Sequence, residues 1–201
     1  MHDYRMKFFT PELYMRFNSS DDDIADEATR EWDRAIENYL RHLQSLPLTE
    51  HVKELSEQCF HDALCLDKTT HPGRSFPAAH PSRKGNNSEE RDRTWITPQI
   101  TSLLLQAADE MIQLLYSAAY DPVIVDHSPE WKAWEVTNRW LYDEIDVAED
   151  EPRLFIHRIL WSNGTVLTIP FWDVSLVRVP LDRMAGSEHS DFRGSRQTLP
   201  G

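Results

Sequence analysis

The chain has 201 residues, which suffices for one domain or at most two small ones. With 40% hydrophobic and 10% aromatic residues it can bury a core, so the composition excludes an entirely disordered protein. Asp and Glu total 34 against 21 Lys and Arg, and the formal charge of −13 argues against binding to nucleic acid through phosphate contacts. A protein partner is expected to be neutral or basic.

The sequence predicts neither a membrane segment nor a signal peptide. Its apolar runs are shorter than the roughly 18 residues of a membrane-spanning helix, and the first residues lack the apolar stretch of a signal peptide. Cys59 and Cys65 do not have the C-x-x-C spacing of a redox pair or zinc site, so both are expected to be reduced. We therefore predict a cytoplasmic protein with no membrane partner.

The N-terminal part predicts three helices between residues 11 and 58. Thr10 can cap a short first helix that has proline at its first position. From Asp21 onward, apolar residues recur every three or four positions, as in a helix with one buried face. Thr49 can cap a shorter third helix. The stripe of the second helix comprises Ile24, Ala28, Trp32, Ile36, Tyr39, Leu43 and Leu46.

The sequence of the rest of the chain predicts strands and two segments that contribute no side chains to a core. Strands over about 60–68 and 100–180 are expected to form a mainly antiparallel sheet on which the helices pack. Residues 69–94 are rich in proline, glycine, serine and charge, which predicts a flexible insert, and 184–201 predict a disordered tail. We therefore expect a single α+β domain over 1–183.

A β-hairpin around Asn163-Gly164 is the strongest strand signal. Two apolar runs of strand length flank this dipeptide, which favours a two-residue type I′ turn. Such a turn places Leu160 opposite Leu167. Both faces of the hairpin are mostly apolar, so it is expected to lie at the centre of the sheet and to be covered on both sides.

Residues 100–119 fit two structures. Their apolar residues follow a helical stripe, and Thr97-Pro98 can start a helix there. Alternatively, Ala108-Asp109-Glu110 can break the segment into two strands of ordinary length. Local propensity slightly favours the helix.

The sequence carries four landmarks: Met6-Lys-Phe-Phe-Thr-Pro-Glu-Leu-Tyr14 with Arg16-Phe-Asn-Ser19, Phe60-His-Asp-Ala63, Trp140-Leu-Tyr-Asp-Glu144, and Phe155-Ile-His-Arg-Ile-Leu160 with Asn163-Gly164 and Ile169-Pro-Phe171. Together they resemble a group of uncharacterised bacterial proteins with a domain of unknown function. The resemblance implies a β-hairpin rather than a helix at 100–119, and a usual start at the position of Met6. It implies no activity and assigns no catalytic residue.

Four residues are candidates for a metal or acid–base site: His61, Asp62, Glu144 and His157. Imidazole and carboxylate groups bind zinc, iron and manganese, although these four do not have the spacing of a known motif. The favoured interpretation of His157 is a hydrogen-bonded, partly buried histidine of a strand. A metal-dependent hydrolase that uses the four residues is the alternative function, and no cofactor is predicted.

The first function predicted is a non-catalytic, acidic protein-interaction module of immunity or adaptor type. The sequence has no G-x-S-x-G motif and no glycine-rich phosphate loop. An acidic run after a tryptophan-rich stretch can bind a basic partner, although a solvated loop beside a tryptophan-containing core is an alternative. The oligomeric state is left open. The candidate partner-binding residues are Trp140, Tyr142, Asp143, Glu144, Asp146, Glu149, Asp150 and Glu151.

Overall fold

A computed structural model describes residues 4–72, 75–76, 95–96, 99–125, 131 and 138–181. Three helices precede a mostly antiparallel sheet, which confirms the predicted α+β class. The helices are α1 (Pro11–Phe17), α2 (Asp22–Ser45) and α3 (Glu50–Ser56). The strands are β1 (Leu64–His71), β2 (Ser75–Phe76), β3 (Trp95–Ile96), β4 (Gln99–Ala107), β5 (Glu110–Ala118), β6 (Val123–Val125), β7 (Trp140–Ala148), β8 (Glu151–Trp161) and β9 (Val166–Pro180).

Each helix begins at the capping residue that the sequence predicts or directly beside it. The hydroxyl of Thr10 accepts the backbone N–H of Leu13, and the hydroxyl of Thr49 accepts that of Val52. The carboxylate of Asp21 accepts two N–H groups in the first turn of α2. These bonds satisfy donors that have no partner within the helix.

The seven-stranded sheet closes on itself. Its order is β1-β4-β5-β9-β8-β7, with β6 paired to β9, and all neighbours are antiparallel. The start of β1 meets the start of β7, where Leu64 pairs with Arg139. Trp140 accepts the N–H of Asp62 at 2.8 Å and donates its own N–H to Ala63 at 2.9 Å. Closure therefore pairs strand ends that would otherwise be exposed edges.

From Leu154 to Trp161, strand β8 is buried on both faces, as expected for a central hairpin. Phe155 and Ile159 point into the interior of the closed sheet and belong to its core. Leu160 points outward and packs against residues of α1, α2 and the N-terminal segment, defined as residues 4–9. The outer face of β7, β8 and the first half of β9 is therefore covered, and this arrangement positions α2.

The turn of the β8–β9 hairpin differs by one residue from the prediction. Leu160 pairs with Val166, so the predicted type I′ turn and the pairing of Leu160 with Leu167 are wrong. The loop has three residues, Gly164 alone takes a positive φ of 83°, and its N–H is bonded to the carbonyl of Trp161. A Cβ at Gly164 would lie 2.4 Å from the ring of Trp131, so glycine is required there.

Residues 99–118 form a hairpin, so the resemblance predicted this segment correctly and local propensity did not. β4 and β5 pair along their whole length, from Gln99 with Ala118 to Ala107 with Glu110. Alternate side chains of both strands lie in the core, as a sheet buried on one side requires. Burial in the closed sheet outweighs the helical preference of leucine, alanine and glutamine.

Two predicted boundaries need correction. β1 begins at Leu64 rather than near residue 60, because Asp62 takes a positive φ of 66° in a turn. β1 also continues to His71, so residues 69–71 belong to the sheet and not to the predicted insert. Most of the insert, and the predicted tail at 184–201, lie outside the described residues. No helix in the described part of the chain is long and apolar enough to cross a membrane.

Candidate functional site

The structure does not bring together the four residues predicted for a metal site. His61 and Asp62 lie in the turn before β1, and the His61 ring contacts the carbonyl of Leu141 at 2.7 Å. His157 lies inside the closed sheet, whereas Glu144 lies under the N-terminal segment. Among the described residues, no group of three or more His, Cys, Asp or Glu side chains is arranged to hold a metal ion.

His157 belongs to a hydrogen-bonded chain inside the closed sheet. It is fully buried, and its Nε2 lies 3.0 Å from the carboxylate of Asp143. Its Nδ1 lies 2.9 Å from the hydroxyl of Tyr116, and Trp140 Nε1 donates to Asp143 at 2.9 Å. Burial raises the pKa of Tyr116 well above its ordinary value, so its hydroxyl stays protonated and can donate to Nδ1. This chain satisfies the buried polar groups and fixes the histidine ring.

Glu144 holds the N-terminal segment. Its Oε1 accepts the backbone N–H groups of Phe8 and Phe9, both at 2.6 Å, and its Oε2 accepts that of Lys7 at 2.8 Å. Burial raises the pKa of this carboxyl group, although the three N–H groups and the charge of Arg158 oppose the shift. One side chain of β7 thus fixes three consecutive backbone groups located more than 130 positions earlier in the chain.

Asp146 joins three parts of the fold. Its carboxylate lies 2.5 Å from Nζ of Lys7, 3.0 Å from Nε2 of His42 and 3.3 Å from Nη1 of Arg158. Burial raises the pKa of Asp146, but the hydrogen bonds from Lys7 and Val147 and the positive charges of Lys7 and Arg158 outweigh it, so the pKa is lowered. The carboxylate therefore connects the N-terminal segment, α2 and β8.

The residues predicted to bind a partner are divided between the core and the surface. Trp140, Glu144 and Asp146 are buried, because β7 points them toward the interior or under the N-terminal segment. Residues 140–148 are therefore not the solvated loop considered as an alternative. Glu149 and Asp150 are exposed in the turn between β7 and β8, while Tyr142, Asp143 and Glu151 are half-buried.

A groove lined by four leucines and four polar residues lies between the last turns of α2, the connection that follows and α3. The volume of the groove is about 670 Å³, within the usual size range of ligand pockets. Leu40 lies at its edge and is 53% exposed. Ile36, one turn before Leu40, is 39% exposed, although the sequence placed it in the buried stripe. We call this feature the α2–α3 groove, and its lining residues are Leu40, Leu43, Gln44, Leu46, Leu48, Lys53, Ser56 and Glu57.

Charged residues of both signs lie around the α2–α3 groove, with the acidic ones in excess once Glu50 and Glu54 of α3 are included. Asp33 and Glu37 are exposed on α2 beside Ile36 and Leu40, as are Arg34 and Arg41, whereas the other five acidic residues of α2 lie in its first ten positions. Glu57 lines the groove and lies 3.9 Å from Lys53, its neighbour one turn earlier. The pair Ile36 and Leu40, four positions apart, is the sequence signal that could have identified this site, because Leu40 lies outside the buried stripe.

Comparisons with protein-family models, curated proteins and solved structures gave no match.

The first prediction concerns the anchoring of the N-terminal segment. In Glu144→Gln, an NH₂ group replaces one of the two carboxylate oxygens that accept backbone N–H groups in the wild type. An NH₂ group cannot accept a hydrogen bond, so at least one of the three bonds is lost. We expect amide exchange at residues 7–9 to accelerate at least about tenfold, measured by hydrogen exchange. Glu149→Gln, an exposed change in the turn that follows β7, is the control, and equal exchange rates in the two variants would contradict the assignment.

The second prediction is a pH dependence of stability. Because the pKa of Asp146 is lowered in the folded protein, its ionised form stabilises the fold near neutral pH. This stabilisation is lost as the pH falls through the lowered pKa. The difference in unfolding free energy between wild type and Asp146→Asn should therefore shrink as the pH decreases below about 5. Urea unfolding at several pH values measures it, with exposed Asp26→Asn as the charge control. If the difference in unfolding free energy between wild type and Asp146→Asn does not change with pH, the prediction is wrong.

Proposed function

We propose that this protein is a non-catalytic interaction module whose α2–α3 groove binds a basic amphipathic helix of a partner protein. The observation that carries the proposal is an exposed groove lined by four leucines, with the acidic side chains of Asp33, Glu37 and Glu57 in it or near it. Leu40 and Ile36 expose apolar surface that a partner can bury. The interaction is of adaptor type, or of immunity type, in which an acidic protein neutralises a basic toxin.

The chemistry of the groove selects the partner. Leucines from α2 and from the connection between α2 and α3 form a surface that fits apolar side chains spaced three or four positions apart on a helix. Asp33, Glu37 and Glu57 favour lysine or arginine on the flanks of that helix. The formal charge of −13 also accelerates the encounter with a basic protein.

Two further expectations belong to this proposal. One is membership of the bacterial group that the sequence landmarks resemble. The other is location in the cytoplasm. Cys59 and Cys65 are free thiols, which is typical of a reducing compartment.

Binding of a designed peptide tests the proposal. The probe is a fluorescein-labelled helix of about 20 residues, with leucines at helical spacing on one face and lysines elsewhere. We expect binding by fluorescence anisotropy, and a loss of about tenfold in affinity in Leu40→Gln, because its apolar contact with the peptide is lost. Ile24→Gln is the matched control, since Ile24 is exposed to a similar degree on α2 but lies outside the groove.

The charge of the groove is tested in the same assay. The double variant Glu37→Gln and Glu57→Gln should weaken binding and reduce its salt dependence, whereas Glu12→Gln with Glu149→Gln removes the same charge elsewhere. A peptide with glutamates in place of the lysines should bind more weakly than the basic one. Equal binding by Leu40→Gln and wild type, or equal binding of the two peptides, would contradict the proposal.

A further inference from the structure

A second cavity lies at one end of the closed sheet. It is about 590 Å³ in volume and is bounded by the beginning of β8, by β9 and by the connection between α2 and α3. Its lining residues are Pro47, Thr49, Glu151, Pro152, Arg153, Phe155 and Trp172. Its volume is typical of sites for small molecules, and we call it the Trp172 pocket.

The walls of the Trp172 pocket are mostly apolar. Trp172 is the extra residue of a β-bulge, since Ala118 pairs with Phe171 and Ser117 pairs with Asp173. It is 37% exposed, unusual for so large an apolar side chain, and a bulge commonly redirects a side chain toward a site. Phe155 is almost completely buried and forms the inner wall, and Pro47 and Pro152 add rigid apolar surface.

Two opposite charges lie on the same wall of the pocket. Glu151 and Arg153, at the beginning of β8, both line the pocket. Neither side chain takes part in any salt bridge within the described part of the chain. The pocket therefore presents an acceptor and a donor, both charged, beside an apolar aromatic surface.

We propose that the Trp172 pocket binds a free α-amino acid with an apolar or aromatic side chain. Such a ligand carries a carboxylate for Arg153, an ammonium group for Glu151 and an apolar body for Trp172 and Phe155. A guanidinium binds a carboxylate through two hydrogen bonds, and this fixes the orientation of the ligand. Binding here is independent of the α2–α3 groove, so either proposal can fail without the other.

Isothermal titration calorimetry with L-phenylalanine tests the site in the full chain. We expect binding that is at least about tenfold tighter than that of phenethylamine, which lacks the carboxylate, or of 3-phenylpropanoate, which lacks the ammonium group. Arg153→Gln should weaken the binding of L-phenylalanine about tenfold and that of phenethylamine much less. Glu151→Gln should show the reverse selectivity, with 3-phenylpropanoate least affected. Arg30→Gln, an exposed change on α2, is the control for Arg153→Gln.

The outcomes separate the proposal from its alternatives. Absence of heat and of any increase in Tm at about 10 mM L-phenylalanine would overturn it, provided that circular dichroism shows the folded protein. Binding that is equal in wild type, Arg153→Gln and Glu151→Gln would also overturn it, because the ligand would then bind elsewhere. Equal affinity for L-phenylalanine and both analogues would show a purely apolar pocket and contradict recognition of an amino acid.

Discussion

The carboxylate of Glu144 determines how the N-terminal part of the chain is placed on the closed sheet. It accepts three consecutive backbone N–H groups of the N-terminal segment, which has no regular secondary structure to satisfy them. Lys7, in the same segment, then reaches Asp146, and Asp146 in turn contacts His42 of α2. Tyr39 adds a bond to β7, since its hydroxyl accepts the N–H of Ile145 at 2.7 Å. The orientation of α2 depends on these contacts together with its apolar face.

This anchoring has an electrostatic consequence for function. Burying a carboxylate is costly unless it is paired or hydrogen-bonded, and both Glu144 and Asp146 meet that condition. Those charges are then used within the fold and are not available to a partner. Acidic residues of α2 and α3 remain exposed instead, and Asp33, Glu37 and Glu57 lie in or near the leucine-lined groove. In the proposed function, acidic residues of α2 and α3 therefore take the place of the 143–151 surface that the sequence suggested.

Local patterns predicted the elements that local interactions determine. Thr10, Asp21 and Thr49 begin helices because a side-chain oxygen satisfies nearby N–H groups, which depends on few residues. The hairpin at Asn163-Gly164 was predictable for the same reason. Its register was not, because a two-residue and a three-residue loop suit the same dipeptide. The ring of Trp131, more than 30 residues away in sequence, lies against Gly164.

Long-range contacts explain the other differences. Residues 100–119 have helical propensity but form two strands, because closure of the sheet buries alternate side chains that a helix would distribute over its surface. Asp143, Glu144 and Asp146 resemble a solvated acidic run, and their burial depends on Lys7, His42 and His157. No local pattern contains those partners. The groove also escaped prediction, since it requires the spatial approach of α2 and α3.

The central claim is that α2, held in this orientation, presents its outer flank and the α2–α3 groove to a basic helix. Mapping amide chemical shifts of the ¹⁵N-labelled chain during titration with the leucine–lysine peptide tests this claim most directly. We expect the chemical-shift perturbations to concentrate on residues 36–57 and to be small at Glu149 and Asp150. Perturbations centred on the turn between β7 and β8, or the absence of any perturbation in α2 and α3, would contradict it.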